Sequence, residues 1–235
     1  MPIAIETATP LERLRAFARP GGEASLHGVH GVRLTLRGEI RSGPRARWMA
    51  FQAEQTIDAT RTAFRWTARL RVGPFGAIPL AVTDGYEAGR GRLVVRAGVL
   101  RLARIEGSDV DKGELQRYLA EVVACPPALW LNPALECTAL GESALRIRDR
   151  DSAEGVAVDV LVGSRGEPLS CRATRPRLIG GRAVLTPWSG TYGAFQDWDG
   201  LRIPTRLDAT WHLEDGPFTY VREEVTALVL DVDVA

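Results

Sequence analysis

The side chains best spaced for joint chemistry are Glu114, Arg117 and Glu121, at positions i, i+3 and i+7 of one segment. On a helix they fall on one stripe. There a guanidinium could clamp a carboxylate or phosphate head in bidentate fashion, and a glutamate pressed into an apolar layer could act as acid or base. The same spacing also makes a solvated, ion-paired helix face, which is the ordinary outcome for such a stripe. Glu54 is the second carboxylate candidate. It adjoins Gln55 in an alternating segment, so the two point to opposite faces, and whichever turns inward needs a partner.

Other chemistry finds less support. His27 and His30 could converge on a metal only with ligands from elsewhere, and no Cys/His cluster supplies them, so neither metal nor cofactor is expected. His212 alternates outward in its strand. Cys125, Cys137 and Cys171 are widely separated, which argues against a disulfide framework, and Cys171 alternates with Leu169 and Ala173 as a small buried hydrophobe would. There is no Gly-x-Ser-x-Gly elbow and no His-Glu-x-x-His pair. Gly89-Arg90-Gly91 is followed by strand-like sequence where a phosphate loop needs a helix, so it reads as a sheet bend or bulge. The aromatic residues are more suggestive. Trp48, Trp66, Trp130, Trp188, Trp198 and Trp211, with Tyr86, Tyr118 and Tyr192, chiefly fill a core, yet indole and phenol groups at the rim of an apolar cavity would suit an amphiphilic ligand.

The charged stripe belongs to the one long helical segment, residues 111–130. Asp111 is its expected cap, Glu114 closes a capping box, and Cys125-Pro126-Pro127 ends it. Leu115, Tyr118, Leu119 and Val122 form its apolar stripe, which must lie on a sheet because the rest of the chain reads as strands. A shorter helix over Pro10–Ala18, capped by Thr9 and stopped by Pro20-Gly21-Gly22, reads as a strap. Two-residue periodicity marks residues 32–40, 48–57 and 64–72 as a meander with one dry face. Residues 78–82 form a short run before a tight turn at Asp84-Gly85, and residues 93–99 alternate again. Beyond the helix, residues 145–147, 156–162, 169–173, 183–188, 207–213 and 218–230 return to strands. The expected fold is mainly β (α+β): a curved antiparallel β-sheet or half-open β-barrel with a covering helix insertion at about 111–131. No linker-like tract divides it, so residues 1–235 are read as one domain.

At 235 residues with 45% hydrophobic residues, the chain can bury a sizeable core. Thirty basic and 29 acidic residues leave a net charge of +1, too little to steer it onto nucleic acid or an anionic membrane. Residues 1–9 lack the pattern of a secretion signal and no run reaches the length of a membrane span, so the expected address is the cytoplasm.

Several stretches resemble a bacterial family of domains of unknown function. They are Gly38-Glu39-Ile40-Arg41, Trp48-x-x-Phe51-x-Ala53-Glu54-Gln55, Phe64-x-Trp66-x-Ala68, Asp84-Gly85-Tyr86, Gly89-Arg90-Gly91 and Gly113-Glu114-Leu115-x-Arg117-Tyr118-Leu119-Ala120-Glu121. The ending from Trp188 through Ile203-Pro204 to Trp211, Asp215-Gly216 and Tyr220 is similar too, so the likeness covers the chain from about Gly31 onward. Members often carry tryptophan where this chain offers Cys137. The order of strands, helical insertion and strands also resembles the half-open barrel of LolA and LolB lipoprotein carriers, which implies a cavity for acyl chains. The leading expectation is a cytoplasmic binding protein for a hydrophobic or amphiphilic, lipid-like small molecule, with Trp48, Trp66, Tyr86 and Tyr118 as wall or rim and Arg117 as polar anchor. One alternative is an enzyme in the same cavity, with Glu114 or Glu54 as acid/base and Arg117 or Tyr118 stabilising negative charge. Another is an interaction module, such as a homodimer formed through an exposed edge strand.

Overall fold

The computed structural model describes residues 8–19, 26, 28–73 and 77–230. The first half supplies strands β1 (Gly31–Ile40), β2 (Met49–Asp58), β3 (Phe64–Val72), β4 (Ile78–Glu87), β5 (Arg90–Ala97) and β6 (Leu100–Ile105). The second supplies β7 (Leu135–Ala139), β8 (Ala144–Asp149), β9 (Ala157–Val162), β10 (Pro168–Ile179), β11 (Arg182–Trp198), β12 (Leu201–Leu213) and β13 (Gly216–Leu230). All 13 join one sheet in the order β6-β5-β4-β3-β2-β1-β13-β12-β11-β10-β9-β8-β7, with every neighbouring pair antiparallel. Each half is a meander, and the pairing of β1 with β13 fuses them at the centre.

That order dictates where the helices go. β6 and β7 are consecutive in the chain yet lie at opposite edges of the sheet, so residues 106–134 must cross a face of it. The crossing contains helix α1's longer counterpart α2 (Ser108–Glu121), a turn of 3-10 helix (Val122–Ala124) and α3 (Ala128–Leu131), α1 being Pro10–Ala18. Helix α2 touches β4 and β5 on one arm and β8, β9 and β10 on the other. A flat sheet could not bring both arms to one helix, so the sheet curls around α2 as a half-barrel. No helix of the described residues is long and apolar enough to cross a membrane.

Alternation selects the face that α2 meets. Val32, Leu34, Leu36, Phe51, Ala53, Ile57, Phe64, Trp66 and Ala68 are buried, while the residues between them are largely exposed or half-buried. Gln55 turns inward, 2% exposed, and Glu54 turns out to solvent. Registers then align Leu34, Gln55, Trp66, Asp84 and Leu93 in one row across β1 to β5. Two polar residues thus interrupt an apolar row, and both are used to hold α2.

Three expectations need correction. Helix α2 starts at Ser108, with Gly107 (φ 122°) as N-cap and no side-chain cap. Asp111 forms no capping box with Glu114; its carboxylate accepts the Gly91 amide at 2.7 Å and Arg90 Nη1 at 3.2 Å. Asp84-Gly85 is no turn but the interior of β4, the chain reversing instead at Ala88 and Gly89, both with positive φ. Finally β6 and β7 are strands beyond those expected, and β10 to β12 run longer than their alternation indicated. The α1 strap forms as expected, and its capping box pairs Thr9 with Glu12.

Candidate functional site

Between α2 and the concave sheet lies a cavity of about 320 Å³. Its apolar wall includes Trp66, Leu93, Ile105, Trp188, Leu207 and Trp211. The size and lining suit a small organic ligand. A larger concavity, about 1270 Å³, lies over the wet face among Arg37, Gln52, Arg69 and Arg222, where Arg37 is already paired with Glu224 at 2.8 Å. That is a solvated arginine-rich groove rather than an enclosed site.

The helical charge stripe faces the cavity, not solvent. Arg117 and Glu121 side chains are only 16% and 15% exposed, which overturns the solvated-face reading. A curled sheet surrounds the helix on more than one side, so its polar stripe is buried as well as its apolar one. Arg117 Nη1 donates to Asp84 at 2.6 Å and its Nε to Glu121 at 2.8 Å, while its guanidinium stacks 5.2 Å from the Phe64 ring and 5.0 Å from Trp66. Gln55 Nε2 donates to the other Glu121 oxygen. Further along, Tyr192 Oη donates to the Ala120 carbonyl at 2.7 Å, and Gln116 Nε2 to Thr174 O at 3.0 Å. Arg175 Nη2 donates to Gly113 O at 2.6 Å. Helix α2 is therefore tied to both arms by polar bonds on top of its apolar packing.

Glu114 lies at core depth with part of its surface turned to the cavity. Burial, then the Asp84 carboxylate, raises its pKa well above the ordinary carboxylate range. Burial raises Asp84 too, against the opposing pull of Arg117. The two carboxyls face each other, and a proton shared between them satisfies Asp84 Oδ1 and Glu114 Oε2, for which no other partner is present among the described residues. Glu114 holds it, because Asp84 has the arginine. Glu223 is likewise pushed up to about 8, by burial first and Glu121 second. Burial thus favours the protonated, donor form of Glu114 and Glu223, the property a general acid needs. Burial also raises the Cys171 thiol to about 11, making it a cavity-wall hydrophobe and not a nucleophile.

Of the site residues expected from sequence, Trp66, Arg117 and Glu114 meet at this cavity, joined by Glu121 of the charged stripe and by Trp188, Trp211 and Tyr192 of the aromatic set. Trp48, Tyr86, Tyr118 and Glu54 do not line it. Tyr118 is fully buried, its hydroxyl donating toward Asp58 O at 3.2 Å and accepting from Asn132 Nδ2 at 3.0 Å. Trp48 lies outside, with Arg41 and Arg222 at 4.5 and 4.8 Å from its ring centroid. Tyr86 borders a separate concavity beside Gly91 and Asp111, and Glu54 faces solvent. His27 is outside the described residues, and His30 is exposed. The cavity also collects Asp84, Arg175 and Glu223, which sequence reasoning did not single out.

A family model of unknown function matches residues 13–223. The chain belongs to DUF6544. This agrees with the resemblance to an unknown-function family read from the sequence, and the site of this DUF6544 chain falls inside the matched span. No curated protein matches it. The fold is similar to that of a LolA superfamily protein from Nitrosomonas europaea, at 14% identity over 96% of this chain and 93% of that one, with a TM-score of 0.48. It is similar also to a DUF1329 family protein from Desulfovibrio piger, at 12% identity over 97% and 96% of the two chains, with a TM-score of 0.43. Neither likeness carries weight for the function of the DUF6544 chain.

Proposed function

We propose that this protein binds a hydrophobic or amphiphilic, lipid-like small molecule in the cavity beneath α2. The observation that carries the reading is the combination of a tryptophan-rich wall with a buried polar cluster at one place, an arrangement that costs stability unless something is gained from it. A purely structural core would pack that volume with aliphatic side chains. Association through one of the free edges, β6 or β7, would leave the cavity intact and is compatible with this role.

Gly113 offers the test. It lines the cavity from α2, and a Cβ added there finds its nearest atom, Arg175 Nη2, at 4.0 Å. A Gly113→Leu side chain can enter the cavity while replacing a poor helix former, so stability should hold or rise by up to about 1 kcal/mol. Uptake of the fluorescent probe N-phenylnaphthylamine should fall about tenfold. Equal uptake by the native protein and a folded Gly113→Leu variant would remove the cavity from the account.

A further inference from the structure

The polar groups of the cavity divide into those already engaged and those still free to act. Asp84 and Glu121 are engaged by Arg117, and Glu121 also by Gln55. Arg175 is different. Among the described residues it enters no ion pair, and its one hydrogen bond is that of Nη2 to the Gly113 carbonyl. Its guanidinium lies 4.6 Å from the Trp188 ring centroid and 5.9 Å from that of Trp211. The residue is 7% exposed and its buried Nε has no acceptor. Trp66, 5% exposed, has an Nε1 in the same position. Tyr220 accepts from Trp188 Nε1 at 3.3 Å and finds no acceptor for its own hydroxyl proton among the described residues.

Arg175 Nε, Trp66 Nε1 and the Tyr220 hydroxyl are thus donors without an acceptor, the unpartnered oxygens of Asp84 and Glu114 belong to carboxyls that face each other, and Arg175 is the buried cation of the cavity without an ion pair. From this we infer that the ligand is a single-chain acyl amphiphile whose carboxylate head is held by Arg175 beside Trp188 and Trp211. This rests on the cavity reading above and assigns the head group within it. Tryptophan faces hold the guanidinium plane in place, so that its fork is presented without further ordering. Burial favours the neutral form of Glu114 and Glu223, and Arg117 offsets one of the two charges on Asp84 and Glu121, so the repulsion that the neighbouring acids exert on such a head is reduced and Arg175 supplies the attraction. Arg117, the anchor expected from sequence, is occupied and serves to hold the helix.

Decanoate, decanol and decylamine share one tail and differ in the head, and quenching of the cavity tryptophans reports their binding to the native protein. Decanoate should bind about tenfold or more tighter than either other probe, as a charge-assisted bond to a buried partner implies. An Arg175→Gln variant should lose that advantage, its decanoate-to-decanol affinity ratio falling to about one. Glu223 faces Glu121 and Arg117 of α2 and Asp208 of β12, and the cavity around it also holds Asp84, Glu114, Arg175, Tyr192 and Tyr220. It is neutral below about 8 and negative above, so decanoate affinity should fall as pH is raised to about 9, and decylamine affinity should rise. Equal binding of all three probes would overturn the head-group assignment and leave the cavity reading standing; binding of none would overturn the cavity reading itself. Should Arg175→Gln fail to fold, the comparison of heads on the native protein decides.

Discussion

Replacing Arg117 with methionine is expected to lower the free energy of unfolding by about 3–5 kcal/mol at neutral pH. The side-chain volume is nearly kept, so packing is not the cause. What changes is that Asp84 and Glu121, 2.6 and 2.8 Å from the guanidinium, are left as buried carboxylates without a counter-charge, beside a Glu114 whose own charged form burial already disfavours. The sign of the pH dependence follows. Losing the arginine raises the folded-state pKa of Asp84 further above its unfolded value, so the variant takes up more proton on folding than the native protein does. Its deficit should shrink as pH is lowered toward about 5, where those carboxyls neutralise at little cost. Urea denaturation at both pH values measures this. A loss under about 1 kcal/mol, or one independent of pH, would mean that the cluster is solvated and its ion pairs are worth no more than surface ones.

The second large effect is expected at Gly91. Helix α2 approaches strand β5 so closely there that a Cβ would come within 2.6 Å of the Val110 carbonyl oxygen and 3.0 Å of Asp111 Cα, both backbone atoms. Backbone on both sides leaves no flexible side chain to give way. A Gly91→Val substitution should push the first turn of α2 off the strand, break the Gly91 amide bond to Asp111, and cost about 3 kcal/mol. Gly89, two residues earlier, makes the useful contrast. Its φ of +79° strains an alanine, yet a Cβ there meets nothing within 4 Å, so Gly89→Ala should cost only about 1 kcal/mol. Thermal unfolding of both variants separates close approach from backbone strain; similar small losses would show that the helix does not depend on contact with β5.

The strands that sequence reveals most clearly, β1 and β3, are those with one wet face, because solvent enforces a two-residue alternation that any reader can see. Helix α2 was visible for the same reason along its Leu115, Tyr118, Leu119 stripe, and Tyr118, expected from sequence as wall or rim, proves to be core like the rest of that stripe. Its start was misplaced because the partner of Asp111 is Gly91, twenty residues away in the chain, whereas a capping box is a purely local pattern. Asp84-Gly85 has the chemistry of a tight turn, but Gly85 is needed where a Cβ would meet Phe64 O at 2.7 Å inside the sheet. Arg175 carries no local signal at all. Arginines are spread along the whole chain, and this one becomes special only when register brings Trp188 and Trp211 alongside and the helix crosses above it.

Mass spectrometry of freshly purified protein, first under native and then under denaturing conditions, tests the central claim most directly. The cavity reading predicts a native mass above that of the chain, with a small amphiphile released on unfolding and absent from the native spectrum of Gly113→Leu; the same spectrum gives the oligomeric state. A native mass equal to the bare chain, unchanged after incubation with decanoate, decanol or decylamine, would contradict it.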